Sequence, residues 1–132
     1  MKKKMIFGLI GPSQSGKSMF ITEVVKQLGT NRIRPIKSFT TRRKRNEDED
    51  WIYDFITQEE FKERMEDSDI IQCVKYAGHI YGNSHDSVKS VLKDSHGIIA
   101  LVEESVFNFR NAGYIVKPIK IIPMYQDVSY VS

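Results

Sequence analysis

Residues 11–18 read Gly-Pro-Ser-Gln-Ser-Gly-Lys-Ser and fit the pattern G-x-x-x-x-G-K-[ST], which constrains the fold more than any other part of the chain. A short apolar segment, residues 5–10, precedes this pattern and predicts a buried strand. Apolar residues then recur at helical spacing up to Gly29, which predicts a helix that ends there. A strand, a glycine-rich loop and a helix in this order predict a phosphate-binding loop.

The residue types of this loop suit phosphate chemistry. Glycines let backbone N–H groups approach phosphate oxygens, and the positive end of the following helix dipole attracts the same anion. We expect Lys17 to reach the β- and γ-phosphates of a nucleoside triphosphate, and the Ser18 hydroxyl to bind Mg²⁺. The residues predicted to bind the triphosphate are Gly11, Ser13, Gln14, Ser15, Gly16, Lys17, Ser18 and Met19. An ordinary glycine-rich turn is the alternative, but such a turn requires neither Lys17 nor Ser18.

Composition narrows the class of protein. A chain of 132 residues predicts one domain with its own core, and its net charge of +3 does not by itself indicate nucleic acid. The apolar segment after the N-terminal lysines runs into the phosphate-binding loop, so we expect neither a signal peptide nor a membrane span. The single cysteine, Cys73, lies in an apolar run and is expected to be buried. These features predict a cytoplasmic protein.

The rest of the chain alternates between predicted strands and helices. Further strands are predicted at residues 33–39, 51–56, 97–102 and 115–122, and a hairpin at residues 70–83. Helices are predicted at about residues 57–66, 84–94 and 105–113, and a charged loop at residues 40–50. Pro118 cannot donate to a sheet ladder, so the last strand is expected to be irregular around it. The pattern predicts a three-layer α/β domain with the hairpin-bearing middle section inserted on one side.

The middle section contains four short motifs. Residues 38–45 read Ser-Phe-Thr-Thr-Arg-Arg-Lys-Arg, and residues 53–55 read Tyr-Asp-Phe. Residues 59–61 read Glu-Glu-Phe, and residues 78–82 read Gly-His-Ile-Tyr-Gly. In their order and most of their spacings these motifs resemble the guanylate kinase family, although the stretch between Arg45 and Tyr53 is one residue short. The resemblance covers almost the whole chain.

The resemblance implies a P-loop kinase fold in which residues 40–83 form a small β-rich region that binds a nucleoside monophosphate. It also implies ATP and Mg²⁺ as cofactors and transfer of the γ-phosphate to GMP, dGMP or a related nucleotide. Arg42 and Arg45 would grip the acceptor phosphate and act in catalysis with Lys17, because planar guanidinium groups suit phosphate. Tyr53 and Tyr81 would donate hydrogen bonds to the same phosphate. The residues implied near the base are Ser38 and Gln72, and Asn83 is implied as a further substrate-binding residue.

The basic run at residues 42–45 has two alternative interpretations. It is followed by the acidic run at residues 47–50, so it is also compatible with a solvated, charge-balanced loop. A nucleic-acid-binding surface is the weaker interpretation, because the neighbouring acids and the small net charge oppose a phosphate-backbone footprint. We expect no nucleic-acid partner and no membrane partner.

Gln72 departs from the family that the chain resembles, whose members carry a glutamate that accepts hydrogen bonds from guanine. A glutamine accepts only through its oxygen, and its NH₂ group donates. We therefore expect weaker or altered base selection. The alternative is that Gln72 is an exposed strand residue without a role in binding.

The segment after the predicted strand at residues 97–102 also departs from the resembling family, which has two acidic residues there. Leu101 stands at the first acidic position and Glu103 at the second. Glu103 is a candidate to position Mg²⁺ through water, together with Ser18. It is equally compatible with a favourable charge at a helix N-terminus.

The last residues, 124–132, contain no arginine, whereas the resembling family continues here with an arginine-bearing lid. Cationic groups stabilise the charge that develops during phosphoryl transfer. We therefore expect slow catalysis unless a partner chain or a second copy supplies a lid. Two functions compete on this basis: a nucleoside monophosphate kinase, or a catalytically weakened module that binds a nucleotide or a protein.

Overall fold

The computed structural model describes residues 3–12 and 16–122, in which the strands form two separate four-stranded sheets. The strands are β1 (Ile6–Ile10), β2 (Ile33–Pro35), β3 (Ser38–Thr40), β4 (Tyr53–Phe55), β5 (Ile70–Tyr76), β6 (His79–Ser84), β7 (His96–Ala100) and β8 (Val116–Lys120). The helices are α1 (Lys17–Leu28), α2 (Gln58–Met65), α3 (His85–Leu92) and α4 (Glu103–Asn111). A 3-10 helix, Glu47–Trp51, precedes β4.

The first sheet is parallel, with the strand order β2-β7-β1-β8. Alternate residues of β1 point to opposite faces, so Ile6 joins one apolar cluster and Leu9 the other. Val88 of α3 and Phe109 of α4 pack in the cluster of Ile6, whereas Ile21 of α1 packs in that of Leu9. Helices therefore cover both faces of the sheet, which confirms the predicted three-layer α/β fold.

The second sheet has the strand order β4-β3-β6-β5 and is mostly antiparallel. Strands β5 and β6 form the predicted hairpin, and its turn uses Ala77 and Gly78, both at positive φ. The sheet is continuous with α3, because Ser84 ends β6 and caps that helix. The assignment of residues 1–132 to a single domain with an inserted region at 40–83 stays a prediction.

The prediction of a single strand at residues 33–39 is wrong. The chain forms β2 in the first sheet, which ends at Pro35, and forms β3 in the second sheet from Ser38. Ile36 still donates its amide to the Ile98 carbonyl of β7 at 2.9 Å, and its side chain is fully buried among residues of the first core cluster, so the chain turns toward the second sheet only after Ile36. The apolar run thus contains the crossing between the two sheets.

Two other predicted boundaries differ from the structure. The charged loop at residues 40–50 contains the 3-10 helix, and β4 begins only at Tyr53. Strand β8 is continuous through Pro118, although an irregular strand was expected. Ile121 donates its amide to Ile10, so the amides of alternate residues point toward β1 and the position of Pro118 faces away from it. A proline at that position removes no hydrogen bond to β1.

The expected burial of Cys73 is also wrong, because its side chain is exposed. Neighbouring residues of a strand face opposite sides, and it is Gln72 that faces inward on β5. Partial desolvation raises the pKa of the Cys73 thiol, which disfavours the reactive thiolate.

Among the described residues, no helix has both the length and the apolar character needed to cross a bilayer.

Gly82 is required by the packing of the second sheet, and this leads to a prediction. A Cβ atom at Gly82 would clash with the buried ring of Phe39, its cross-strand partner. We expect Gly82→Ala to lower the free energy of unfolding by about 1–3 kcal/mol through overpacking. Urea unfolding measures the loss, and a Gly82→Ala/Phe39→Leu double variant should recover part of it. An unchanged unfolding midpoint in the single variant would contradict this account of the packing.

Candidate functional site

The start of α1 forms the anion-binding end of the site. The chain leaves β1 at Ile10, and Gly16 takes a left-handed conformation with φ of 89° immediately before the helix begins at Lys17. No side chain of the described residues caps α1, and no acid lies in its first turn. The first amides of the helix are therefore suited to an anion. Ser13, Gln14 and Ser15, which were predicted to contact the triphosphate, lie outside the described residues.

Lys17, at the start of α1, bonds both to the loop that follows β1 in the first sheet and to β5 of the second sheet. Its Nζ donates to the carbonyl oxygens of Gly11 and Pro12, both at 2.8 Å, and to the Tyr76 hydroxyl at 3.0 Å. The Tyr76 hydroxyl in turn donates to the Gly11 carbonyl at 3.0 Å. Tyr76 was not among the predicted site residues, because the hairpin prediction places it at a strand end without showing which sheet it faces.

Arg42 is buried in the second half of the site. Its side chain donates to both carboxylate oxygens of Glu49, with a shortest distance of 2.7 Å, and its Nε donates to the Tyr81 hydroxyl at 3.0 Å. The guanidinium carbon lies 5.2 Å from the centre of the Tyr53 ring, which adds a cation–π contact. The side chains of Arg42 and Glu49 are only 4% and 8% exposed. Glu49 thus fixes the guanidinium among the aromatic rings.

Glu49 also fixes the loop itself, because its carboxylate accepts the backbone amide of Arg45 at 2.6 Å. Burial alone would raise the pKa of Glu49, but the hydrogen bonds from Arg42 and from the Arg45 amide outweigh burial and hold the pKa below its ordinary value. Glu49 was not predicted as a site residue. Glu49 lies in a run of four acidic residues, and nothing in the sequence distinguishes it from a solvent-exposed acid.

The pKa of Glu49 predicts a pH dependence of stability. The unfolded chain binds the proton more tightly, so the carboxylate stabilises the fold above its ordinary pKa and loses that contribution as the pH falls through the lower folded value. We expect the difference in free energy of unfolding between wild type and Glu49→Gln to be largest at neutral pH. It should shrink between about pH 5 and pH 3. Urea unfolding at several pH values measures the difference, and parallel curves for the two proteins would contradict the prediction.

The remaining basic residues of the loop are exposed. Lys44 pairs with Asp50 at 2.9 Å and with Glu47 at 3.5 Å, and its side chain is 35% exposed. The Arg45 side chain is exposed beside the cleft. The interpretation of the basic run as a solvated, charge-balanced loop therefore fits only some of its residues. Lys44 belongs to a charge-balanced surface, whereas Arg42 is part of a buried cluster.

Polar side chains from three strands and one helix form a continuous hydrogen-bonded chain beside the cleft. Asn108 of α4 donates to Gln72 at 2.9 Å, Gln72 donates to Asn83 at 2.9 Å, and Asn83 donates to Ser38 at 2.8 Å. Gln72 is 7% exposed, so the alternative of an exposed strand residue is wrong. The structure brings together Ser38, Gln72 and Asn83, which were implied to bind the substrate, and adds Asn108, which the sequence did not indicate.

Most of the predicted site residues line two adjoining cavities. A cleft of about 580 Å³ lies between the start of α1 and the loop of Arg42. Its lining includes Gly16, Lys17, Ser18, Met19, Arg42, Arg45, Tyr53 and Tyr81. A smaller pocket is lined by Ser38, Gln72 and Asn83, and it shares Lys17, Tyr53, Tyr76 and Tyr81 with the cleft. Burial raises the pKa of the Tyr53 hydroxyl, which therefore remains a proton donor at neutral pH.

Glu103 is the predicted residue that the structure leaves outside this arrangement. It begins α4, pairs with Lys120 at 3.5 Å, and its side chain is 74% exposed. Neither cavity is lined by Glu103. Within the described part of the chain no group of three or more histidine, cysteine or acidic residues could hold a metal ion. The role of Glu103 at a metal stays a prediction.

Residues 124–132, on which the expectation of a missing lid and a partner chain rests, lie outside the described residues.

Known proteins share both the sequence pattern and the fold. Residues 2–116 match the guanylate kinase family model. The chain is 37% identical over 98 residues to a guanylate kinase of Thermotoga maritima, an alignment that covers 74% of the chain and 46% of that protein. It is 25% identical to a guanylate kinase of Mycoplasmoides gallisepticum, covering 96% of the chain and 65% of that protein.

A crystal structure of guanylate kinase from Anaplasma phagocytophilum has a TM-score of 0.67 to the chain at 22% identity. That match covers 91% of the chain and 60% of the other chain, and it supports the P-loop fold. The chain thus spans about half the length of several curated relatives that it matches. Since the family model matches 115 of the 132 residues, from residue 2 to residue 116, this chain belongs to the guanylate kinase family.

Proposed function

We propose that the chain is a nucleoside monophosphate kinase that transfers the γ-phosphate of ATP to GMP, dGMP or a related nucleotide. The observation that carries the proposal is that one cleft contains the start of α1, Lys17, Arg42 and Arg45. The α1 end suits the donor phosphates, and the arginines suit the acceptor phosphate. Such a reaction needs no covalent intermediate, because positioning and charge neutralisation suffice.

The donor side fits ATP with Mg²⁺. The amides of the first turn of α1 and the Lys17 ammonium bind the phosphates, and the Ser18 hydroxyl at the cleft is an oxygen ligand of the kind that Mg²⁺ takes beside phosphate oxygens. When bound, Mg²⁺ neutralises charge on the β- and γ-phosphates. Lys17 has to exchange its carbonyl and Tyr76 contacts for phosphate oxygens.

On the acceptor side, the two arginines have different roles in this proposal. Most N–H groups of Arg42 are engaged with Glu49, Tyr81 and the Arg43 carbonyl. Arg42 therefore contributes a fixed positive charge at the wall of the cleft. Arg45 is exposed and supplies a guanidinium fork that can close on the phosphate. Tyr53 and Tyr81 add phenolic hydrogen bonds at the same place.

A catalytically weakened binding module is the second candidate function. The position of Glu103 favours it, because this acid lies outside both cavities and pairs with Lys120 instead. Such a module would bind ATP or a monophosphate without appreciable turnover. Under either function we propose a cytoplasmic location and, as a source of the lid, a partner chain or a second copy.

A coupled ADP-release assay with each ribo- and deoxynucleoside monophosphate separates the two candidates. The kinase function predicts ADP formation that depends on the added monophosphate and that Arg45→Ala reduces. Calorimetric binding of ATP and a monophosphate without turnover would favour the binding module. If the protein binds neither ATP nor a monophosphate in calorimetry, both candidates fail.

A further inference from the structure

Tyr76 lies at the end of β5, with its side chain on the cleft side of the second sheet. Alternate residues of this strand, Gln72, Val74 and Tyr76, line the small pocket, and Tyr76 also lines the cleft. Val74 pairs with Tyr81 of β6, so Tyr76 and Tyr81 are diagonal neighbours on one face of the sheet. Their rings make an edge contact with 6.4 Å between their centres. The pairing of β5 with β6 thus directs Tyr76 into the site.

The Tyr76 hydroxyl is held at the donor side of the cleft by two hydrogen bonds. It accepts a hydrogen bond from the Lys17 ammonium at 3.0 Å and donates its own proton to the Gly11 carbonyl at 3.0 Å. The ammonium also lies 5.2 Å from the centre of the Tyr76 ring, which adds a cation–π contact. A side chain of the second sheet therefore reaches the loop that is proposed to bind the donor phosphates.

The Tyr76 and Tyr81 rings lie between two cations of the site. The Tyr81 hydroxyl accepts a hydrogen bond from Nε of Arg42, as the Tyr76 hydroxyl does from Lys17. In the proposed function Lys17 serves the donor phosphates and Arg42 the acceptor phosphate, so the phosphoryl group moves from one cation toward the other. Tyr76 therefore lies beside the path of transfer.

Binding of a triphosphate changes what the Tyr76 hydroxyl contacts. When Lys17 exchanges Tyr76 for a phosphate oxygen, that oxygen becomes a neighbour of the hydroxyl, because both lie beside the same ammonium. A phenol donates as well as accepts, so the hydroxyl can turn its proton from the Gly11 carbonyl to the phosphate oxygen. A hydrogen bond to a charged oxygen is stronger than one to a neutral carbonyl, which favours this exchange.

We propose that Tyr76 is a further catalytic residue, whose hydroxyl donates a hydrogen bond to the terminal phosphoryl group of the bound triphosphate. The proposal rests on the proposed function and adds a neutral donor from the second sheet to the cations of the cleft. During transfer the phosphorus–oxygen bond to ADP breaks while a bond from phosphorus to an acceptor phosphate oxygen forms. No proton moves, so Tyr76 keeps its own and stabilises the charge on the oxygens of the phosphoryl group.

Tyr76→Phe tests the hydroxyl and retains the ring with its contacts to Lys17 and Tyr81. Calorimetric titrations with ATP and with ADP, both with Mg²⁺, give the preference for ATP without requiring turnover. Because both nucleotides displace the hydroxyl from Lys17, the ratio of their dissociation constants cancels that cost and reports the contact with the terminal phosphoryl group. We expect the preference for ATP to fall by about 3- to 10-fold, and kcat for ADP formation with GMP to fall by about 10-fold.

Two results would overturn the proposal. One is a preference for ATP in Tyr76→Phe that stays within about twofold of the wild-type value. The other is tighter binding of ATP and ADP by the same factor, since the hydroxyl would then only compete with phosphate for Lys17. In both cases the proposed function stands, provided that wild type binds ATP and a monophosphate. If wild type binds neither, the proposed function fails as well.

Tyr114→Phe is the matched control. Its hydroxyl is hydrogen-bonded to Nδ1 of His85, and Tyr114 lines neither cavity. Loss of this hydroxyl should leave the preference for ATP unchanged, whatever its effect on the unfolding temperature. A purely structural role for the Tyr76 hydroxyl predicts the same pattern in Tyr76→Phe, namely a lower unfolding temperature with an unchanged preference for ATP. Measuring the unfolding temperature and the two affinities of each variant distinguishes this role from the proposed contact.

Discussion

Lys17→Ala is expected to reduce the rate of ADP formation in the presence of ATP and GMP by about 10²- to 10³-fold. The Lys17 ammonium lies at the start of α1, where the donor phosphates are proposed to bind, and its charge stabilises the phosphoryl group during transfer. Positioned charges of this kind act in a site with little water, where their loss is large. A coupled assay at saturating nucleotide concentrations measures kcat.

Two controls make this result specific. Lys89→Ala removes an exposed lysine from α3 and should leave kcat unchanged. Since Lys17 also bonds to Tyr76 of the second sheet, the unfolding temperature of Lys17→Ala shows whether the loss reflects chemistry or a weakened fold. A folded Lys17→Ala variant with at least a fifth of wild-type kcat would refute the proposed role of Lys17.

Arg42→Ala is expected to reduce both stability and monophosphate binding, whereas Arg45→Ala reduces binding alone. Removing Arg42 leaves the Glu49 carboxylate buried without its partner, and breaking a buried ion pair in this way costs about 3–5 kcal/mol. Arg45 contributes only its backbone amide to Glu49, and that amide is unaffected by the replacement. Urea unfolding and calorimetric titration with GMP separate the two effects.

The double variant Arg42→Ala/Glu49→Ala tests the cause of the instability. With both charges removed, no unpaired carboxylate remains, and stability should recover partly relative to Arg42→Ala. Binding of GMP should not recover, because the positive charge at the cleft is still absent. Equal instability of Arg45→Ala and Arg42→Ala would contradict the structural role assigned to the ion pair.

The phosphate-binding loop and the hairpin could be predicted because each depends on local chemistry. Gly16 and Gly78 take positive φ where the sequence predicted turns, and Thr57 forms a capping box with Glu60 at the start of the helix predicted at about residues 57–66. Whether a small apolar residue is buried depends less on its local sequence and more on the tertiary structure. Cys73 is exposed although Ile70, Ile71 and Val74 lie close to it in the sequence, because the face that β5 presents to the core follows from its pairing with β6.

Glu49, Tyr76 and Asn108 could not be predicted as parts of the site. Their contacts reach across the fold: Tyr76 bonds to a lysine 59 positions away in the chain, and Asn108 to a glutamine 36 positions away. Nothing in the local sequence distinguishes Glu49 from the other acids of its run. Its burial follows from the 3-10 helix that brings it to Arg42.

By itself, the sequence determined that this chain has a phosphate-binding loop between a strand and a helix, within an α/β fold of the guanylate kinase family. Glycine conformations, helix caps and strand alternation are short-range properties, so a short motif specifies them. Only the tertiary structure decided that Arg42 is held by Glu49, that Lys17 contacts Tyr76, and that Gln72 lies in a hydrogen-bonded chain of neutral side chains from Asn108 to Ser38. These features depend on which faces of two separate sheets meet, and that is settled by packing of the whole chain.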